Sequence, residues 1–136
     1  MASKITGGCL CGAVRYESTA VPAFAGNCHC RDCQKASGGA YVPLLALPAT
    51  AVRISGEVKF FDVQGDSGNI MSRGFCPTCG TRVVGKSSGM PALTVILAGT
   101  LDDPGDFKPA IDFYTASAQP WDHMNPALPK FPKSPA

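Results

Sequence analysis

Seven cysteines, gathered in three short clusters, constrain this 136-residue chain more than anything else in it. Cys9 and Cys11 flank Leu10. Cys28, Cys30 and Cys33 enclose His29 and the dipeptide Arg31-Asp32, while Cys76 and Cys79 bracket Pro77-Thr78 and are followed by Gly80. An odd number cannot all be paired in internal disulfides. Met1 to Lys4 run straight into Ile5-Thr6-Gly7-Gly8, without the charged start and apolar stretch of a secretory signal, so a reducing, cytoplasmic setting is expected. In that setting clustered cysteines are metal ligands before they are disulfides.

The third cluster is the most diagnostic. Pro after the first cysteine fixes a turn. Gly after the second accepts φ > 0, which lets backbone N–H groups face sulfur, the form of a zinc knuckle. A knuckle supplies two ligands, whereas a structural zinc takes four. Joining Cys76 and Cys79 to Cys9 and Cys11 completes one closed four-thiolate site and keeps Cys28, Cys30 and Cys33 together; any other partition splits that triplet. The closed site ties the N-terminal segment to the middle of the chain, so its binding energy becomes folding energy.

The triplet is expected to hold a second zinc with one coordination position to spare, the pattern of a catalytic site. Held by fewer ligands, that ion should be only partly retained on purification. Thiolates suit an incoming sulfur ligand. Two positive charges against three thiolates leave one negative charge, and a fourth thiolate adds another; Arg31, Lys35 and Arg73 are candidate counter-charges. His29 is the alternative fourth ligand, although a residue between two ligands tends to turn its side chain away. His123, beside Trp121, reads as a surface or packing residue.

The remaining pattern is mainly β. Ala13 to Glu17 alternates as a half-buried strand does, and Val58 to Val63 and Leu93 to Ala98 are rich in branched and aromatic residues. Ala40 to Leu47 is apolar but holds Pro43, which predicts an edge strand or a bend. One short helix is predicted over Asp32 to Ser37, stopped by Gly38-Gly39. From Ala118 onward, Pro120, Pro126, Pro129, Pro132 and Pro135 alternate with Trp121, Met124, Leu128 and Phe131. That composition predicts an extended arm over residues 118–136, laid on the domain by its apolar groups, with the last five or so residues frayed.

A hydrophobic fraction of 45% supports a core, and residues 1–136 read as one domain. A net charge of +2, with Lys and Arg scattered, argues against a nucleic-acid or membrane-surface partner. No apolar run reaches the length of a membrane span.

With these clusters in view, the sequence resembles the glutathione-dependent formaldehyde-activating enzyme family, also called the GFA or CENP-V domain family. Gly7 to Tyr16, Cys28 to Gly38 and Arg73 to Thr81 carry the likeness, and Ala118-Gln119-Pro120-Trp121 and Leu128-Pro129-Lys130-Phe131 look like the family's closing segment. The resemblance implies β-tent-like antiparallel sheets, a structural zinc on Cys9, Cys11, Cys76 and Cys79, and a substrate-side zinc on Cys28, Cys30 and Cys33. It also implies a carbon–sulfur lyase that reversibly joins glutathione to formaldehyde.

The leading expectation is therefore an enzyme that binds a small thiol at the second zinc and adds it to an aldehyde. A zinc-stabilised binding module for a protein partner is the alternative. A redox or metal-relay role for the triplet is a third reading.

Overall fold

The computed structural model describes residues 4–134. In chain order its elements are β1 (Ile5–Gly8), β2 (Arg15–Ser18), β3 (Phe24–Cys28), α1 (Arg31–Ser37), β4 (Val42–Pro48), β5 (Arg53–Ser55), β6 (Lys59–Gln64), β7 (Ile70–Phe75), β8 (Arg82–Ser87), β9 (Leu93–Leu97), β10 (Ile111–Phe113) and β11 (Lys130–Phe131). A three-stranded sheet has the order β1-β2-β5, and an eight-stranded sheet the order β11-β10-β3-β4-β9-β8-β7-β6. The chain is mainly β with one α-helix, as the sequence predicts. The larger sheet is mixed, because β10 runs parallel to both β3 and β11. No helix among the described residues is long and apolar enough to cross a membrane.

The strands expected near residues 13–17, 58–63 and 93–98 form as β2, β6 and β9. The helix begins one residue earlier than predicted. Cys30 caps it, its sulfur accepting the Cys33 N–H, and Gly38 ends it in the left-handed region at φ 73°.

Two expectations fail. The apolar segment holding Pro43 is not an edge strand; β4 lies at the centre, paired with β3 on one side and β9 on the other. Its ladder with β9 begins only at Leu44, opposite Leu97, so Pro43 lies beyond that ladder and has no β9 partner. The continuous apolar run follows from burial on both faces. Leu45 and Leu47 join one core with Val14, Tyr16, Val83 and Ile96, while Val42 and Leu44 join another with Leu97 and Phe113. Cys9 and Cys76 pack in the first core, Cys28 and Cys33 in the second.

Nor is the tail simply an extended arm. It turns at residues 120–121 and 126–127 and then adds β11 to the sheet edge, where Phe131 packs on the second core. Trp121 is 60% exposed. The fraying expected of the last residues falls partly on 135 and 136, outside the described residues.

Candidate metal centres

The first cysteine group is built by two glycine-closed turns. Cys9 follows β1, and the Gly12 N–H donates to its carbonyl at 3.1 Å; in the knuckle between β7 and β8, the Gly80 N–H donates to the Cys76 carbonyl at 2.8 Å. Gly12 and Gly80 stand at φ 84° and 78°, where a side chain would strain the turn. The sulfurs of Cys9, Cys11, Cys76 and Cys79 all lie within 4.8 Å of one another. Cys9 Sγ is 3.6 Å from Cys11 Sγ, which is 3.7 Å from Cys76 Sγ. A tetrahedral ion with metal–sulfur bonds of about 2.3 Å needs edges of about 3.8 Å, so the donors stand at the spacing such an ion requires. The Val14 and Thr78 amides donate to the sulfurs of Cys9 and Cys76 at 3.2 and 3.4 Å. Thr81, through its hydroxyl and its backbone, draws Cys79 down to about 5.

The second group is local. Cys28 ends β3, Cys30 caps α1 and Cys33 lies in the helix's first turn, with Cys30 the most exposed of the three. Their sulfurs also lie within 4.8 Å of one another, and no fourth His, Cys, Asp or Glu joins them among the described residues. All seven cysteines are free of disulfides. Contacts with Cys28 and Cys33 lower Cys30, aided by the Cys33 amide and the Arg73 charge. Contacts with Cys30 and Cys33, with burial, push Cys28 up. The Cys28 thiol favours the charged form of Cys33, but Cys30 and burial outweigh it and raise Cys33 to about 11. Three adjoining sulfurs thus yield a first proton readily and the next ones reluctantly. A dication among them removes that resistance.

His29 is turned away from this group, as expected of a residue between two ligands. What holds it was not legible in the sequence. Its ring is fully buried, with Nδ1 2.6 Å from Asp122 Oδ2 and Nε2 2.9 Å from Asp112 Oδ1. Lys130 Nζ donates to Asp112 Oδ2 at 2.8 Å, and Asn27 Nδ2 donates to Asp112 Oδ1 at 3.1 Å. Each ring nitrogen thus meets a carboxylate oxygen, and the Lys130 ammonium offsets the charge of Asp112. Gln34 adds a further tie, donating to the carbonyls of His29 at 2.7 Å and Ser117 at 3.0 Å.

Of the three candidate counter-charges, Arg31 is exposed and bonded to Gln34, and Lys35 is exposed. Arg73 alone is brought near, its charge acting on Cys30 and Cys33. Sequence reasoning missed Arg82, which burial, then the neighbouring Arg73, depress and which the Cys33 charge favours. Arg82 Nε and Nη1 are buried without a hydrogen-bond partner among the described residues. Leaving such donors unmet costs about 1–3 kcal/mol each, more when charged. His123 is exposed. A cavity of about 560 Å³ opens elsewhere, lined by Ile5, Phe24, Leu45 and Phe107 among others, and contains no cysteine.

Two cysteine groups with metal-ligand spacing, one of four sulfurs and one of three, on a mixed β scaffold define a cysteine-rich protein with two candidate metal sites. The chain belongs to the family described as glutathione-dependent formaldehyde-activating enzyme, whose sequence profile matches residues 4–117. No curated protein matches it. Among solved structures, a crystal structure of a Rhodobacter sphaeroides protein shares the fold at 18% identity, covering 93% of this chain and 98% of that one with a TM-score of 0.60.

Proposed function

We propose that this protein is a zinc enzyme of the carbon–sulfur lyase type, reversibly joining a small, glutathione-like thiol to an aldehyde such as formaldehyde. Cys9, Cys11, Cys76 and Cys79 hold a structural zinc in this reading, and Cys28, Cys30 and Cys33 hold a second, more labile one. The observation that carries it is the three-sulfur group without a fourth protein donor among the described residues. The adjacent histidine that could have closed it is bonded elsewhere. Family membership, with its description naming glutathione and formaldehyde, supports the substrate class.

Zinc, when bound there, supplies a Lewis-acidic position that keeps an incoming thiol deprotonated near neutral pH. The chain's own residues do the rest. Cys28 and Cys33 hold the group from within the core, while the half-exposed Cys30 leaves its outer side reachable from solvent. Arg73 offsets the negative charge of the sulfurs. The clamp on His29 fixes the backbone between Cys28 and Cys30, a positioning role. Sulfur adds to the aldehyde carbon as the carbonyl π bond opens, and the proton given up by the thiol ends on the former carbonyl oxygen. The reverse step cleaves the same carbon–sulfur bond. The reactants are small molecules, and a cytoplasmic setting suits the reduced cysteines.

The competing reading, a metal-stabilised module that docks a protein, draws on Trp121 and Phe61, which are 60% and 65% exposed. Mixing the zinc-loaded protein with thiol and aldehyde separates the two. Adduct formation faster than the uncatalysed rate, lost in Cys30→Ala, is the expected result. No acceleration across a range of thiols removes the enzyme reading.

A further inference from the structure

Within β10, Asp112 faces His29, while Phe113 turns into the second core beside Cys28, its partner in the ladder with β3. Strand alternation would send the next side chain, Tyr114, back to the His29 side. It does not go there. Tyr114 stands at φ 57°, alone among the described non-glycine residues in having a positive φ. Its ring lies against that of Phe113, with centroids 6.2 Å apart, and packs on the core that contains Cys28 and Cys33.

Hydrogen bonds hold this conformation from both sides. The Tyr114 N–H donates to the Lys133 carbonyl at 3.0 Å, and the Tyr114 carbonyl accepts from the Ser117 N–H at 3.1 Å. Gln34, in the helix that carries Cys33, donates to the Ser117 carbonyl at 3.0 Å and so ties this turn to the cysteines. The His29 N–H donates to the Phe113 carbonyl at 3.0 Å, so the chain from Cys28 to Cys30 runs alongside Phe113 and Tyr114. A tyrosine in the left-handed region carries a conformational cost, and residues held in this way cluster at functional sites. Packing does not account for the choice, because the ring of a phenylalanine would serve it. The hydroxyl has no partner among the described residues and is not shut away from solvent. It is a spare donor on the side of the sheet where Cys28 lies.

We propose that Tyr114 is a catalytic residue of the thiol–aldehyde reaction, its O–H donating a hydrogen bond to the aldehyde oxygen as sulfur adds to the carbon. The inference rests on the thiol–aldehyde reading of the three-cysteine group and adds a residue that acts on the aldehyde. As the carbon–sulfur bond forms, the carbonyl π pair moves onto oxygen. A donor already fixed there stabilises charge that develops only on the way to the transition state. The oxygen then takes from solvent the proton that the thiol gave up, and Tyr114 keeps its own. In the reverse direction the same bond stabilises the oxygen anion until the π bond reforms and the carbon–sulfur bond breaks.

The zinc-loaded protein and its Tyr114→Phe variant are each mixed with formaldehyde and glutathione, and separately with formaldehyde and 2-mercaptoethanol. Exchange NMR follows adduct formation and breakdown. Tyr114→Phe is expected to slow both directions by the same factor, about a hundredfold, the scale of one donor to a developing oxyanion. Its affinity for the thiol alone, read from the absorption of the cobalt(II)-substituted protein, should not change, and neither should its metal content. Equal rates in the two proteins, with the unaltered one accelerating the reaction, overturn this inference alone. A loss of thiol binding or metal that matches the loss of rate also overturns it, since the residue would then act only by shaping the site. Fluorotyrosine at position 114, a stronger donor of nearly the same shape, should speed addition. It decides the matter if Tyr114→Phe fails to fold, and an unchanged rate there overturns the inference. An unaltered protein that accelerates neither thiol removes the thiol–aldehyde reading for those thiols, and this inference with it.

Discussion

Asp122 Oδ2 lies 2.6 Å from Nδ1 of His29, a contact between residues 93 apart in the chain, and the side chains of both are almost wholly buried. His29 separates Cys28 from Cys30, so this bond orients the backbone that carries two of the three grouped sulfurs. Removing Asp122 leaves a buried ring nitrogen of His29 without its partner. Asp122→Ala is expected to lower unfolding free energy by about 1–3 kcal/mol, the order of leaving a buried polar group unpaired, and to weaken metal retention at the neighbouring group. Denaturant unfolding of the zinc-loaded protein, with metal analysis after dialysis, checks both. Unchanged values would show the bond to be ornamental.

Cys30 and Cys76 should respond in opposite ways. Cys30→Ala removes a sulfur from the three-cysteine group and the cap of α1. It is expected to abolish activity while the fold survives, at a stability cost of about 1 kcal/mol for the lost cap. Cys76 is fully buried in the first core and belongs to the four-sulfur group. Cys76→Ala is expected to leave the chain unfolded or insoluble. Circular dichroism of the two purified variants tells them apart.

Chelation should empty the two groups in sequence. Metal at the three-cysteine group is expected to leave first, with the circular dichroism spectrum intact, and the second equivalent to leave together with the fold. Metal analysis along an EDTA series follows both steps. Two ions that resist mild chelation equally would contradict the assignment of an open and a closed site.

The pair Arg15–Asp102 gives a pH signature away from any sulfur. Asp102 Oδ1 accepts from Arg15 at 3.0 Å and Oδ2 from Thr6 at 2.8 Å, and these bonds, Arg15's first, hold its carboxyl down at about 2 against an ordinary 3.8. A carboxyl depressed by folding stabilises the fold above its unfolded value and loses that contribution as pH falls through its folded one. The stability difference between the native protein and Asp102→Asn should therefore be constant above about pH 4 and shrink between about pH 4 and 2. Urea midpoints across that range measure it. A difference independent of pH would assign the effect to packing.

What was readable from the sequence was local. Cys28 closes β3 just before Cys30 and Cys33 enter the cap and first turn of a short helix, and the Cys76–Gly80 knuckle carries its turn chemistry in its own residues. The pairing of distant Cys9 and Cys11 with that knuckle followed because few ligands were available to complete four. Pro43 misled because a proline speaks of its own missing N–H and not of where the next strand ends. Asp112 and Asp122 carried no motif, Lys130 was read only as part of a closing segment, and only the fold gathers them around His29. Arg82 was equally silent, since a lone arginine declares its neighbours only when β8 lies beside β7.

The position of Asp122 and Lys130 near the C-terminal end bears on how the protein is made. All seven cysteines lie within the first 79 residues, so a ribosome has delivered every sulfur well before it delivers the groups that steady His29. A product cut off after residue 119 would pass any count of thiols and could still load metal, yet its Cys28–Cys30 segment would lack the bond from Asp122. Quality control that senses metal alone would accept such a chain; quality control that senses a loose segment around His29 would not.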